Sequence, residues 1–510
     1  MTLGEKYFLW NSIPNLIWIC GLIYYLCIRK SIGAVMVAMF VYLSLHGGYA
    51  IFAAATADGI NTMNTLHYQS SDLGVKLVGA GFLIGCGIVL GFRMTNPWAS
   101  IRGSNFFRLD IFLLLLLFLA SMTYGAMNLP GITPGNLLTV LKESLFSICM
   151  WVGVLIFSVV IKQGYEYFVL YRKEWLSALI ILGVIMITGG FYEIITGMVW
   201  AGTYYETGFS YRASGTLFNP NVLGFWSALM VLMVAFFFHL GWISRRITFA
   251  AMILVMGCLV LSSSRSGLVL SVVNLFAVSV IIFWRRKFMQ ISAMDQAWPL
   301  IAFLLAFILC AVVIEWLTPS PYAFLNTLHA NLYRFLQLPV SIFWILMMKM
   351  GFPAMQVIEP LLIWLFGAEL WAILTNSLAS AASSYEGGKM AESVSGRMLL
   401  EYISDNSFMS IYAIGGVSAL VIWLWLWAIL FFMGVKKFKG SPGFFSAYAL
   451  VGLIFCFVSG FFLRTPQLFP IWVFLSMLLG FCLSWWSPTA NFVAATPNSS
   501  KPGLLGNQAL

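Results

Sequence analysis

Long apolar runs, interrupted by short charged or glycine- and proline-bearing turns, set the pattern of this 510-residue chain. A membrane-crossing helix needs about 20 apolar residues. On that measure the runs predict about thirteen spans, centred near residues 18, 44, 83, 120, 149, 187, 231, 256, 275, 308, 420, 454 and 477. The first run, from about Phe8 to Ile28, lacks a small-residue cleavage site and is expected to be a retained span. One segment, about 318–407, breaks the rhythm. It carries SIFWILMMKM at 341–350 and EPLLIWLFGAELWAIL at 359–374, pieces too short or interrupted to span, as suits interfacial or re-entrant helices. The polar stretch NSLASAASSYEGGKMAESVSGR that follows is expected to be a loop. The predicted fold is therefore all-α: a polytopic transmembrane bundle of about 12–13 spans with one large loop between the tenth and eleventh. Residues 1–317 hold the first ten spans, 318–407 the loop, 408–486 the last three spans, and 487–510 a disordered tail.

Composition agrees with a membrane chain and excludes a soluble domain: 61% of residues are hydrophobic, 9% are charged, and the mean hydropathy is +0.94. The net charge of +10 does not point to nucleic acid, because the basic residues come in ones, twos and threes between apolar runs and form no stripe. Their alternation from loop to loop sets topology instead. Arg29 and Lys30; Arg93, Arg102 and Arg108; Lys162, Arg172 and Lys173; Arg245 and Arg246; Arg285, Arg286 and Lys287; and Lys436, Lys437 and Lys439 mark the cytoplasmic loops. The N-terminus and the 318–407 loop then face outward, and the C-terminus inward. All eight cysteines fall inside apolar runs with no CxxC or Cys/His spacing, so neither a disulfide nor a structural zinc is expected; no cofactor is expected either. There is no internal repeat of the kind that marks many transporters.

Charges inside or beside the spans carry the candidate chemistry, since a buried charge in a bilayer normally faces water or a partner. Arg265 stands in LSSSRSGLVL, at a tight outward turn between two spans. Lys76, Lys142, Glu143, Glu193 and Glu315 also lie near outward ends, and only Asp110 lies near the cytoplasmic edge. This asymmetry predicts a polar cavity open to the outer face. The plainer alternative is that Arg265 snorkels and that Lys142, Glu143 and Glu193 pair between helices. In YRASGTLFNPNVLGFWSAL the turn Gly215, Asn219, Pro220, Asn221 precedes a new span that Asn219 or Asn221 can cap. A helix start favours anions, and with Arg212 beside it the place suits a phosphate. Two arginines at outward turns suggest a lipid diphosphate headgroup. Near the end of the loop, Arg397 and Glu401 lie eight and four residues before Asp405, so a helix would put the three on one face. Asp405, followed by Asn406, suits a general base, or alternatively a cap for the next span.

RASGTLFNPNVLGFWSAL, then LSSSRSGLVL, then a long outward loop ending in SGRMLLEYISDNSFMSIYAIGGVSALVIW resembles, in that order, the O-antigen ligase and polymerase superfamily over about residues 205–430. The resemblance implies a bundle of about twelve spans in the bacterial inner membrane, with the active site facing the periplasm. It implies a metal-independent glycosyltransferase acting on undecaprenyl-diphosphate-linked oligosaccharides. Arg212 and Arg265 would hold the diphosphate leaving group, with Asn219 and Asn221 beside it. Ligases commonly present histidine and asparagine at the end of the loop; Asp405 and Asn406 stand there in this chain, which favours the polymerase branch. The expected function is polymerisation of repeat units into O-antigen, capsule or exopolysaccharide, with a chain-length regulator and a flippase as possible partners besides membrane lipid. Ligase-type transfer, for which His67 or His329 would have to enter the site, is the alternative, and a transporter or flippase is a third.

Overall fold

The computed structural model describes residues 32–45, 109–128, 171–196, 206–207, 210–217, 220–289, 291–336, 407–440 and 443–462, with a few isolated positions between 17 and 24. In chain order the elements are α1 (Ile32–Ser44), α2 (Leu109–Asn128), α3 (Arg172–Thr196), the two-residue strands β1 (Glu206–Thr207) and β2 (Ser210–Tyr211), and α4 (Pro220–His239). Then come α5 (Arg245–Ser262), α6 (Arg265–Trp284), α7 (Ala293–Trp316), α8 (Ala323–Leu336), α9 (Ser407–Gly440) and α10 (Phe444–Ser459). Among the described residues six helices are long and apolar enough to cross a membrane: α3 to α7 and the main part of α9. Nine of the thirteen span centres fall inside α1–α7, α9 and α10; those near 18, 83, 149 and 477 lie outside the described elements.

The core explains the arrangement. α4 is apolar on every side, and such a helix is stable only when surrounded by others; its whole apolar window is buried. α6 crosses it in close backbone contact. A Cβ on Gly267 would sit 2.6 Å from the carbonyl oxygen of Gly224, and one on Gly224 would strike Ser264, so small residues are required here. Further along, α10 runs antiparallel to α4: His239 and Phe236 meet Tyr448, whereas Phe225 meets Phe462 just beyond α10. α9 packs antiparallel to α10 through Trp427, Phe431 and Phe457, and against α2 through the stacked Phe118 and Trp423. Gly416 breaks α9 near its start with φ 69° and ψ −168°, a conformation open essentially to glycine alone.

These packings order the charges. α3 and α5 run parallel, with Gly190 against Leu261 at one end of the contact. α5 and α7 are also parallel, pinned at their starts by the Arg245–Asp295 ion pair at 2.7 Å. One end of the bundle consequently gathers the exposed Arg172, Lys173, Arg245, Arg246, Arg286, Lys436 and Lys439 and the half-buried Arg285. Glu193, Arg212, Arg265, Glu315 and Ser407 sit at the opposite end. Trp284 and Trp316 are 84% and 83% exposed, one at each end, as interfacial tryptophans are. The molecule is a multi-pass helical membrane protein.

The loop after α7 begins with a helix that the hydropathy pattern did not predict. The chain turns at the cis Thr318–Pro319 bond and returns as α8, whose Leu328, Leu332 and Phe335 are buried, with Phe335 against Phe307 of α7. The expected helical pieces at 341–350 and 359–374 lie outside the described residues.

Candidate functional site

Between β2 and α4 the chain lies across the end of the bundle opposite the basic residues, and three helices fasten it there. The backbone N–H of Ala213 donates to the carbonyl of Leu261 in α5 at 2.9 Å. Glu193, near the end of α3, accepts from the backbone N–H groups of Ser214 at 2.7 Å and Gly215 at 3.0 Å, and from the Ser214 hydroxyl at 3.2 Å. Buried backbone donors need acceptors; both N–H groups converge on Oε2, and the hydroxyl bonds Oε1. Glu193 is 7% exposed, and this buried charge anchors the turn. A hollow between α3, α4 and α5 is lined by apolar side chains, among them Leu179, Gly183, Trp226, Met230 and Cys258.

Held in this way, Arg212 reaches across the end of the bundle. Its Nε donates to the carbonyl of Ser262 at 3.0 Å, and its Nη2 donates to Oδ1 of Asn221 at 2.6 Å. Asn221 is the second residue of α4, so it grips the arginine from inside the first helical turn and is not the N-cap. Ser262 ends α5 and Arg265 begins α6; between them Ser263 adopts φ 50° and Ser264 caps α6 by accepting from the N–H of Gly267 at 3.2 Å. Ser262, Ser263 and Ser264 are all buried, and the Ser263 hydroxyl has no partner among the described residues. Arg265 is half-buried beside them. Two arginines 53 positions apart in sequence thus flank one buried serine turn at the start of a 20-residue helix. A helix start with its dipole and adjoining guanidinium groups suits a multiply charged anion.

α9 brings a second chain segment to this end. The N–H of Ser407 donates to the carbonyl of Gly460 at 2.8 Å, and Phe408 stacks on Phe461. The next residue, Phe462, meets Phe225 one turn into α4 from Asn221. The start of α9 therefore shares an end of the bundle with the arginine turn. Of the other residues singled out from sequence, Lys76, Lys142, Glu143, Asn219, Arg397, Glu401, Asp405 and Asn406 lie outside the described residues, as does the side chain of Asp110.

Glu315, the remaining charge expected near an outward end, is paired. Nε2 of His329 in α8 lies 2.9 Å from its Oε2. Neither partner was legible to the other in sequence, because they stand 14 positions apart across a proline turn. Among the described residues no three of His, Cys, Asp and Glu converge as metal ligands would. Compared with known proteins, the chain matches no family model, no curated sequence and no solved structure.

Proposed function

We propose that the protein is a membrane glycosyltransferase that takes its donor from a lipid diphosphate at the end of the bundle opposite the basic loops, and that it polymerises undecaprenyl-diphosphate-linked repeat units. The observation that carries this reading is the serine turn at 262–264, with Arg212 bonded to its first carbonyl and Arg265 opening the helix that follows. Departure of a diphosphate from an anomeric carbon concentrates negative charge on the leaving oxygen, and fixed guanidinium groups stabilise that charge without reorganising. The basic residues gathered at the other end support a cytoplasmic assignment of that end; in this reading the arginine turn faces the periplasm from a bacterial inner membrane. Asp405, two residues before Ser407, and Asn406, Glu401 and Arg397 supply the acceptor side in this reading, as the order of motifs in sequence suggests.

Ligase-type transfer to a different acceptor uses the same arginine turn and differs in what receives the glycan. The test is a purified protein given lipid-linked repeat units. Arg212→Ala and Arg265→Ala should each abolish chain growth while reaching the membrane in near-normal amount. Full-length polymer from Arg265→Ala would show that this arginine only snorkels, and the diphosphate assignment would be lost.

A further inference from the structure

We propose that α3 and α5 hold an acidic phospholipid from the leaflet at the basic end of the bundle, with one acyl chain in the apolar hollow between them and the phosphate at Arg172 and Arg246. The two helices run parallel but splay apart toward that end. A Cβ on Gly190 would lie 3.0 Å from Leu261, one on Gly257 would lie 3.7 Å from Ile187, and one on Gly183, two turns nearer the basic end than Gly190, would meet nothing within 4 Å. Trp226 and Met230 of α4 close the back of the resulting wedge, and Leu179, Leu254 and Cys258 line its sides. Its mouth is on the outer surface of the bundle, where Ile180 and Leu254 are 59% and 40% exposed. An apolar hollow stays dry and takes apolar matter; on the flank of a bundle in a bilayer, that matter is a hydrocarbon chain.

The depth of the hollow suits such a chain. Leu179 and Gly183 stand seven and eleven residues past Arg172, and Ala251 and Cys258 stand five and twelve past Arg246. At about 1.5 Å per residue the hollow lies roughly 8–18 Å below the level of the two arginines. In a bilayer the hydrocarbon of one leaflet begins roughly 6 Å below the headgroup surface and is about 15 Å thick. A phosphate at the arginines therefore brings its acyl chain to the hollow.

Charge selects the headgroup. Arg172 shares a stripe of α3 with Leu179 and Gly183. Arg172, Lys173 and Arg246 are exposed, and none of them has an ion pair among the described residues. Arg245 differs, being committed to Asp295. The first turns of α3 and α5 set a single carboxylate, Glu174, against these three cations. The surplus is positive, so the site complements a phosphate whose headgroup brings no cation of its own, as in phosphatidylglycerol, and not a zwitterionic headgroup such as phosphatidylcholine.

Native mass spectrometry of the detergent-purified protein, titrated with phosphatidylglycerol and with phosphatidylcholine of the same acyl chains, tests this. Binding is measured without turnover, so the result leaves the lipid-diphosphate reading untouched. Phosphatidylglycerol should bind at least about tenfold more tightly, and Arg172→Gln and Arg246→Gln should each weaken it about fivefold while leaving phosphatidylcholine unchanged. Gly183→Leu, which fills the hollow and keeps the cations, should also weaken phosphatidylglycerol. Equal affinity for the two lipids would make them an unselective annulus, and undiminished phosphatidylglycerol binding by Gly183→Leu would place the chain elsewhere; either result overturns the proposal. So would undecaprenyl phosphate binding more tightly than phosphatidylglycerol and being lost in the same variants, which would give the hollow to a prenyl chain.

Discussion

Arg212 is held by two neutral acceptors, the Ser262 carbonyl and Asn221 Oδ1, along two directions of its planar fork. A lysine presents a point charge on a flexible stem and reproduces only one of these directions at a time. Arg212→Lys should therefore lower polymer at least about tenfold, a loss of roughly 1.4 kcal/mol or more in transition-state stabilisation, with protein level unchanged by immunoblot; polymer at the wild-type level would contradict the geometry. Glu193→Ala tests the anchor. It leaves both buried turn N–H groups, which converge on Oε2, without an acceptor, a cost of about 1–3 kcal/mol for each, and the unfolding midpoint of the purified protein should drop. At this scale the sequence showed where charge was unusual and not what it served. The positions of Glu193, Arg212 and Arg265 marked one end, yet nothing in them showed that Glu193 holds the turn that carries Arg212. Nothing in an apolar helix reveals that the turn 20 residues onward has two N–H groups in need of an acceptor.

Two glycines define how the helices meet. At Gly267 an added methyl group would press on the backbone of α4, which has no flexible side chain to yield. Gly267→Ala should destabilise by about 1–3 kcal/mol through overpacking. Gly183 has open space around its Cβ position, so Gly183→Ala should be neutral or raise stability by up to about 1 kcal/mol through helix propensity. Thermal unfolding of both variants in detergent checks the contrast, and equal effects would place the α4–α6 crossing elsewhere. Most helices were legible because 20-residue apolar runs leave little alternative in a chain of this composition. α8 was missed for a physical reason: AFLNTLHANLYRFL mixes polar and apolar residues and falls below any span threshold. Its helical period at Leu325, Leu328, Leu332 and Phe335 was nevertheless present in the sequence. The break at Gly416 left no comparable trace, since a glycine inside an apolar run is common in membrane helices.

At the scale of the whole molecule, parallel and antiparallel packing sorts charge to two ends, and the proposed reading takes the basic end as cytoplasmic. In a background without the eight native cysteines, Tyr322→Cys at the outward hairpin should react with an impermeant thiol reagent applied to intact cells, and Lys173→Cys at the basic end should not. Equal labelling would contradict the orientation. The alternation of Lys and Arg along the chain made this ordering legible before any helix was placed, whereas the convergence of Arg212, Ser262, Arg265 and the start of α9 depends on contacts 50 and more residues apart, which hydropathy does not encode. The central claim, that this end of the bundle lengthens glycans carried on a lipid diphosphate, is tested most directly by supplying the purified wild-type protein with lipid-linked repeat units as its sole substrate and following both products. A ladder of lengthening chains, with one undecaprenyl diphosphate released for each bond formed, is the predicted result. No released diphosphate, or no ladder until a second kind of acceptor is added, would contradict it.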